Sequence, residues 1–409
     1  MYYSIINTCD KKLWGLTQNQ RVQQTLCKIA EIHALTDSVT LDPNDKILLI
    51  RSDYLIEANV IQRFIQRNDC LLKSSCDDQI VAIWTKHKHY KEAHAILCGA
   101  EQRHHFSQVT AEQLTGGYDI NLRKYDISYV VRVTDDNVPI LEKYLYDKSY
   151  KGITDCVTKW WWPRPARAVV KLCTIFKISP NMVTGFGWIL TFITGFAFYH
   201  AEYALGLLSG WLMTFLDTVD GKLARVSLQS SKVGHIMDHA LDIIHPPIWY
   251  WCWAMGLGVT SIEFIGINAS LFDWGVLMLS AYVLGRVFEG LFQWWFKTAS
   301  IFCWKPFDSY HRLFTARRNP SMIILTMALF FSSPLLGFVW VVLWALMSDV
   351  VLAVRFLMGV MAKLTHQPIR SWIESVDGQQ SNPSVAVRLF TGHMASVTIA
   401  SCLSSKTYD

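Results

Sequence analysis

The sequence predicts an α-helical integral membrane protein with about six transmembrane helices, preceded by a small cytoplasmic α/β domain. Three observations predict it. Apolar residues make up 51% of the chain and charged residues still 17%, with a mean hydropathy of +0.21, so the two kinds must be segregated. They are: the chain is mixed and polar up to about residue 155, and about six apolar stretches follow between 181 and 364. Within those stretches, four aspartates recur at helical spacing, where a carboxylate near hydrocarbon costs roughly 2.5–3.5 kcal/mol unless it is partnered.

Taken in order, residues 1–150 form the polar domain. The run K-I-L-L-I-R at 46–51 is a buried-strand pattern ending in Ser52-Asp53, residues 57–66 suit a helix, and 128–133 form a second strand pattern. Residues 1–19 lack a basic start followed by an apolar run, so no signal peptide is expected and the domain is placed in the cytoplasm. Segment 151–180 contains Trp160-Trp161-Trp162-Pro163-Arg164-Pro165 and then an amphipathic stretch, an interfacial helix with aromatics at headgroup level. It is either a simple anchor or a place where Arg164, Arg167 or Lys171 holds an acceptor phosphate. Pro180 fits the first turn of the helix that follows.

The spans are placed near 181–200, 203–220, 235–258, 271–296, 320–342 and 344–364, within a membrane domain at 181–370, followed by a C-terminal tail at 371–409 whose Ser/Thr-rich part from about 378 is expected to be partly disordered. Lys159, Arg164, Arg167, Lys171 and Lys177 precede the first span, and Lys297, Lys305, Arg312, Arg317 and Arg318 precede the fifth. The loops near 200–203 and 259–270 have neither Lys nor Arg. The basic side is therefore cytoplasmic. A net charge of +5 is modest, so these clusters read as contacts to lipid surface and phosphate, with no nucleic-acid partner. The ten cysteines show no C-x-x-C pair and are expected as free thiols.

The chemistry lies at the second and third spans. Asp217, Asp220, Gly221 and Ala224 share one helix face, and Asp238 and Asp242 share a face of the next helix. Carboxylate oxygens suit hard cations such as Mg²⁺, Mn²⁺ or Ca²⁺, and four of them leave one dication short of charge, so two ions are expected. Two such ions clamp a phosphoryl group. Gly221, Ala224 and Gly234 lack bulk where a diphosphate or a neighbouring backbone must approach, and Arg225 offers a planar cation for phosphate. Arg286 and Glu289 lie three residues apart inside the fourth stretch, either as a structural ion pair or facing a substrate cavity. Asp349 and Arg355 sit within or at the edge of the sixth.

At these residues the chain resembles the CDP-alcohol phosphotransferase family, whose pattern D-x2-D-G-x2-A-R-x8-G-x3-D-x3-D is matched at every defined position from Asp217 to Asp242. Ser179-Pro180-Asn181-Met182-Val183-Thr184 is similar to the T-P-N-x-V-T entry to the family's first span, with Ser for Thr. The resemblance implies a CDP-linked donor, an alcohol or lipid acceptor, release of CMP, and Mg²⁺ or Mn²⁺ as two ions. It makes Asp217, Asp220, Asp238 and Asp242 metal ligands, with Asp242 also the candidate general base. Asp217, Gly221, Ala224, Arg225 and Gly234 would line the CDP site, and a homodimer is common in the family.

Residues 308–320 resemble the loop before the fifth span in members with an N-terminal nucleotidyltransferase-like domain, with Arg317 and Arg318 as phosphate contacts. Leu13-Trp14-Gly15-Leu16 through Arg21, and the strand ending at Asp53, are similar to such domains. The chain lacks a G-x-G-x-R or G-x4-G-K loop to cradle a triphosphate, so the domain is expected to be degenerate and without nucleotidyl transfer. The function expected is membrane phosphotransfer from a CDP donor in phospholipid biosynthesis. A lipid on the donor implies a small polyol or polyol phosphate acceptor. A polar headgroup on the donor implies a lipid alcohol or phosphorylated inositol, and the fused domain leans to this second arrangement. The alternative is a non-catalytic, cation-binding membrane transporter or scaffold.

Overall fold

A computed structural model describes residues 1–29, 32–35, 41–100, 105–297, 300–376 and 383–391. The N-terminal part is built on a mixed six-stranded sheet. Its strands are β1 (Tyr2–Ile6), β2 (His33–Ala34), β3 (Lys46–Arg51), β4 (Cys70–Lys73), β5 (Ile80–Lys86) and β6 (Ser107–Thr110), in the order β2-β1-β3-β5-β4-β6. Strands β2, β1 and β3 run parallel, β5 is antiparallel to both β3 and β4, and β6 is parallel to β4. The expected strand at 46–51 is the centre of this sheet. It reads as a continuous apolar run because both faces are covered. Leu48 and Ile50 pack with Val22 and Leu26 of α1 (Gln18–Lys28) and with Val60, Ile61 and Phe64 of α2 (Ala58–Phe64), whereas Ile47 and Leu49 pack with Ala93, Ile96 and Leu97 of α3 (Tyr90–Leu97).

The strand expected at 128–133 shrinks to Val131–Arg132, paired antiparallel with Tyr54–Leu55. Ser128 is diverted into a side-chain network that competes with strand pairing. Its N–H donates to Thr115 Oγ1, and its hydroxyl meets Asn59 and the Lys148 ammonium, 2.7 Å away. Lys148 also pairs with Glu57 at 2.7 Å and Asp126 at 3.3 Å, and its carbonyl accepts from Lys124 Nζ at 2.6 Å. Burial pushes the Lys124 ammonium down from 10.5 to about 8, against the pull of nearby Asp126. Between those two values the unfolded chain binds the proton that the folded chain has released, so stability rises with pH there, by on the order of 3 kcal/mol in total. Below pH 8 both states are protonated and the burial cost is felt in full. Melting curves of the purified protein should move upward from pH 7.5 to 9.5, and Lys124→Met should flatten that rise. An equal slope in the variant would assign the effect to another group.

Helix α4 (Ala111–Thr115) follows β6, and α5 (Val138–Lys148) leads out of this part. A tight turn with Trp14 at φ 50° and Gly15 at φ 81° turns the Trp14 ring inward, where it is 2% exposed. It clusters there with Tyr146, with Ala166 and Val170 of α6 (Pro163–Ile175), and with Val219 and Leu223 of α8 (Tyr203–Val226). Arg21, also buried, donates to the Val226 carbonyl at 2.8 Å, satisfying an open acceptor at the end of α8 with a cation where the helix dipole favours one.

The helical part contains α7 (Pro180–Tyr199), α8, α9 (Lys232–Gly256), α10 (Leu271–Phe296), α11 (Pro306–Phe314), α12 (Arg318–Phe330) and α13 (Pro334–Leu364). Among the described residues, three of these are long and apolar enough to cross a membrane: α7, α10 and α13. Their outward faces are apolar, with Phe186, Phe192 and Phe196 of α7 and Trp340, Val350, Leu357 and Met361 of α13 exposed, which suits lipid contact. Helices α8 and α9 carry the charged motif. The break expected near 343 falls at 331–333 instead, where Ser332 is left-handed at φ 53° and Pro334 opens α13 at its first turn.

Two described pieces of the segment expected as the tail, 371–409, are structured. Trp372–Ser375 is a short helical turn, and α14 (Val385–Phe390) buries Phe390 completely beside Tyr310 and Trp372, because V-A-V-R-L-F is apolar. Gly152 lies against this helix, where any side chain would collide with the Phe390 carbonyl. Residues 377–382 and 392–409 of that expected tail lie outside the described residues. The cysteines described are all free.

Candidate active site

The motif is delivered by α8 and α9, both of which pack against α7. Ser231 caps the start of α9, its hydroxyl accepting from Gly234 N–H at 3.0 Å, and a left-handed Leu228 at φ 56° reverses the chain before it. Asp220 is 4% exposed and accepts at Oδ2 from the Thr184 hydroxyl of α7 at 2.6 Å. The other oxygen of Asp220, and Oδ1 of Asp217, are buried and have no hydrogen-bond partner among the described residues. Buried anionic acceptors left unmatched are costly, and an oxygen-seeking cation would satisfy both, so this donor set fits a divalent metal.

Arg318, at the start of α12, supplies positive charge to the cluster: Nη2 lies 2.5 Å from Asp217 Oδ2 and Nη1 3.0 Å from Asp242 Oδ1. The acids of α8 and α9 are thus joined through a third helix. Beside them lies a cavity of about 90 Å³ lined by Asp155, Asp242, Tyr282, Arg286, Arg312, Arg317, Arg318 and Asn319. Glu289 pairs with Arg286 at 2.6 Å and with Arg317, so the pair expected at 286 and 289 is an ion pair whose arginine lines the cavity. Pro246 and Pro247 sit inside α9 and cannot donate to the carbonyls four residues earlier. Those carbonyls, of Asp242 and Ile243, each accept from Tyr282 Oη at 3.2 Å.

Of the phosphate-contact candidates, Arg286, Arg317 and Arg318 converge here. Arg164, Arg167 and Lys171 do not line this cavity. Arg164 is exposed on α6, and Lys171 pairs with Glu142 at 2.7 Å and lies over Trp14, fastening α6 to the N-terminal part. Gly221 faces open space bounded by the Arg225 guanidinium at 3.8 Å, whereas a side chain on Gly234 would meet Asn181 Oδ1 at 2.5 Å, so Gly234 serves close packing against α7. Ala224 is half-buried on α8. Arg225 Nη1 donates to the Ser149 carbonyl at 3.2 Å.

Sequence reading assigned no site role to Thr184, Tyr282, Arg312, Asp155 or Lys151. The Asp155 carboxyl accepts from Asn319 at 2.9 Å and from Thr158. Burial opposes its ionisation, but Arg312 and these hydrogen bonds prevail and hold it below the usual carboxylate range. Burial first, and then Arg123, Arg225 and Arg312, push the Lys151 ammonium down to about 8, with Asp242 opposing. At the edge of the sixth stretch, Arg355 pairs in bidentate fashion with Asp308, at 2.6 and 2.8 Å.

Fold and site together define a helical membrane protein with a carboxylate cluster suited to divalent cations. Residues 177–347 match the family model described as CDP-alcohol phosphatidyltransferase. Among curated proteins, the chain is 30% identical over 79 residues to an archaetidylinositol phosphate synthase of Pyrococcus horikoshii, covering 19% of this chain and 42% of the relative. It is 29% identical over 112 residues to a bifunctional IPC transferase and DIPP synthase of Aquifex aeolicus, covering 27% of this chain and 25% of the relative. The chain thus spans less than half the length of either relative.

Proposed function

We propose that the protein is an integral-membrane transferase that moves a phosphoryl-linked group from a CDP-activated donor to an alcohol and releases CMP. The observation that carries this reading is the complete motif from Asp217 to Asp242, folded with two carboxylate oxygens unmatched among the described residues beside an arginine-lined cavity. Asp217, Asp220, Asp238 and Asp242 would hold two ions, Mg²⁺ or Mn²⁺, which when bound neutralise charge on the diphosphate. Gly221 leaves the α8 backbone open to the donor, and Arg225 offers its guanidinium to phosphate oxygens. Asp242 accepts the proton of the attacking hydroxyl as its oxygen bonds to phosphorus and the bond to CMP breaks. Helices α8 and α9, of 24 and 25 residues, would join α7, α10 and α13 in the bilayer, whereas α12, with 13 residues, would reach only part of the way across.

The acceptor side is the cavity at Asp242. Arg286, Arg312, Arg317 and Arg318 line it, and their guanidinium groups suit the oxygens of an acceptor that itself carries phosphate. The name of the Pyrococcus relative, an archaetidylinositol phosphate synthase, supports a polyol phosphate in that place and hence a lipid on the donor. The basic flanks of the spans support a site on the cytoplasmic side. The N-terminal part is read as a degenerate nucleotidyltransferase-like domain: Asp53 is held by Arg51 at 2.7 Å and faces Arg132 at 3.6 Å, a paired carboxylate in place of a metal ligand.

Asp242→Asn should lower turnover by about 10²-fold, within the usual range for loss of a general base, while sparing Mn²⁺ and donor affinity more than Asp217→Asn does. Titration of Mn²⁺ and donor into both variants checks this. Equal loss of binding would make Asp242 one more ligand and send the search for the base elsewhere.

A further inference from the structure

We propose that the N-terminal part carries a transition-metal site, formed by His89, Glu92 and His105 and suited to Zn²⁺. Five of the 13 histidines, at 87, 89, 94, 104 and 105, fall within one short stretch. His89 closes a helical turn (His87–His89), and Glu92 stands three residues later in the first turn of α3, which puts both side chains on one side. His105 arrives from the approach to β6. Their ligating atoms all lie within 4.8 Å of one another.

The distances favour a metal over simple ion pairs. Nδ1 of His89 lies 3.7 Å from Oε2 of Glu92, and Nδ1 of His105 lies 3.7 Å from its Oε1, both too long for hydrogen bonds. The carboxylate thus sits between the two rings, and each separation is near the roughly 3.4 Å that two ligands with metal bonds of about 2.0–2.1 Å would keep in a tetrahedron. The imidazoles are held in place: their centroids are 4.7 Å apart, and Phe106, 4% exposed, packs 4.3 Å from His105 and 6.3 Å from His89. Two imidazoles and one carboxylate suit Zn²⁺ or Co²⁺, unlike the all-carboxylate cluster on α8 and α9. Three protein ligands leave a fourth position for water. Bound metal would tie the start of α3 to the approach of the edge strand β6 and stabilise the sheet by mass action.

The test uses full-length, metal-stripped protein in detergent, with Mg²⁺ in excess and Co²⁺ titrated by visible absorption. One equivalent should bind with the spectrum of a tetrahedral site. His89→Ala/His105→Ala should lose that band, Glu92→Gln should weaken binding at least about tenfold, and Asp217→Asn/Asp238→Asn should keep it. Circular dichroism confirms that each variant is folded. A Co²⁺ band that survives the histidine changes in a folded variant, or that vanishes with the aspartate changes alone, overturns the proposal.

Discussion

Asp217→Asn and Asp238→Asn should each abolish CMP release, lowering turnover by roughly 10³-fold or more, about 4 kcal/mol of barrier, in a protein that stays folded and membrane-inserted. Asparagine keeps the size of the side chain and removes the charge that holds a cation. Asp217 has one buried oxygen without a hydrogen-bond partner among the described residues, so that oxygen is left for something other than the fold. Asp53→Asn is the matching control. Its carboxylate pairs with Arg51 and faces Arg132 in the N-terminal part, and turnover should stay within a few-fold of the parent. CMP release and circular dichroism on all three variants decide the matter. If Asp53→Asn were as damaging as Asp238→Asn, the degenerate-domain reading would fail.

Arg318→Met should have the largest effect on stability. The Arg318 side chain is 14% exposed and contacts Asp217 and Asp242, so removing it strands carboxylates that the fold has partly desolvated. Breaking a buried pair in this way costs about 3–5 kcal/mol. Mg²⁺ or Mn²⁺ should recover much of that loss, because the ions neutralise the same acids. Melting temperatures of parent and variant, with EDTA and with Mg²⁺, test this. The expected result is a deep loss in EDTA and a larger gain from Mg²⁺ in the variant than in the parent. Equal stability in EDTA would mean that Arg318 is not the counter-charge of the cluster.

The motif was legible because its residues lie on two consecutive helices at fixed offsets, so spacing alone places them on shared faces. The central strand was legible for a similar reason, since K-I-L-L-I-R buried on both sides leaves a continuous apolar run. Strands β1, β4 and β6 hold only four or five residues, too few to show a period. The break between α12 and α13 had a signal in Ser332-Ser333-Pro334, but the hydropathy on either side concealed it. Contacts over long separations left no local trace: Arg21 on the Val226 carbonyl, Lys171 on Glu142, and Arg318 on two motif aspartates. The same holds for Tyr282, whose role follows from two prolines on another helix.

The most direct test of the central claim is CMP release by the purified full-length protein in detergent, against a panel of CDP-linked donors and of alcohol and polyol phosphate acceptors, with and without Mg²⁺ or Mn²⁺. The expected result is CMP from at least one donor and acceptor pair, dependent on the metal and lost on addition of EDTA. No CMP from any donor with either metal present would contradict the claim and leave a membrane protein that binds cations without catalysis.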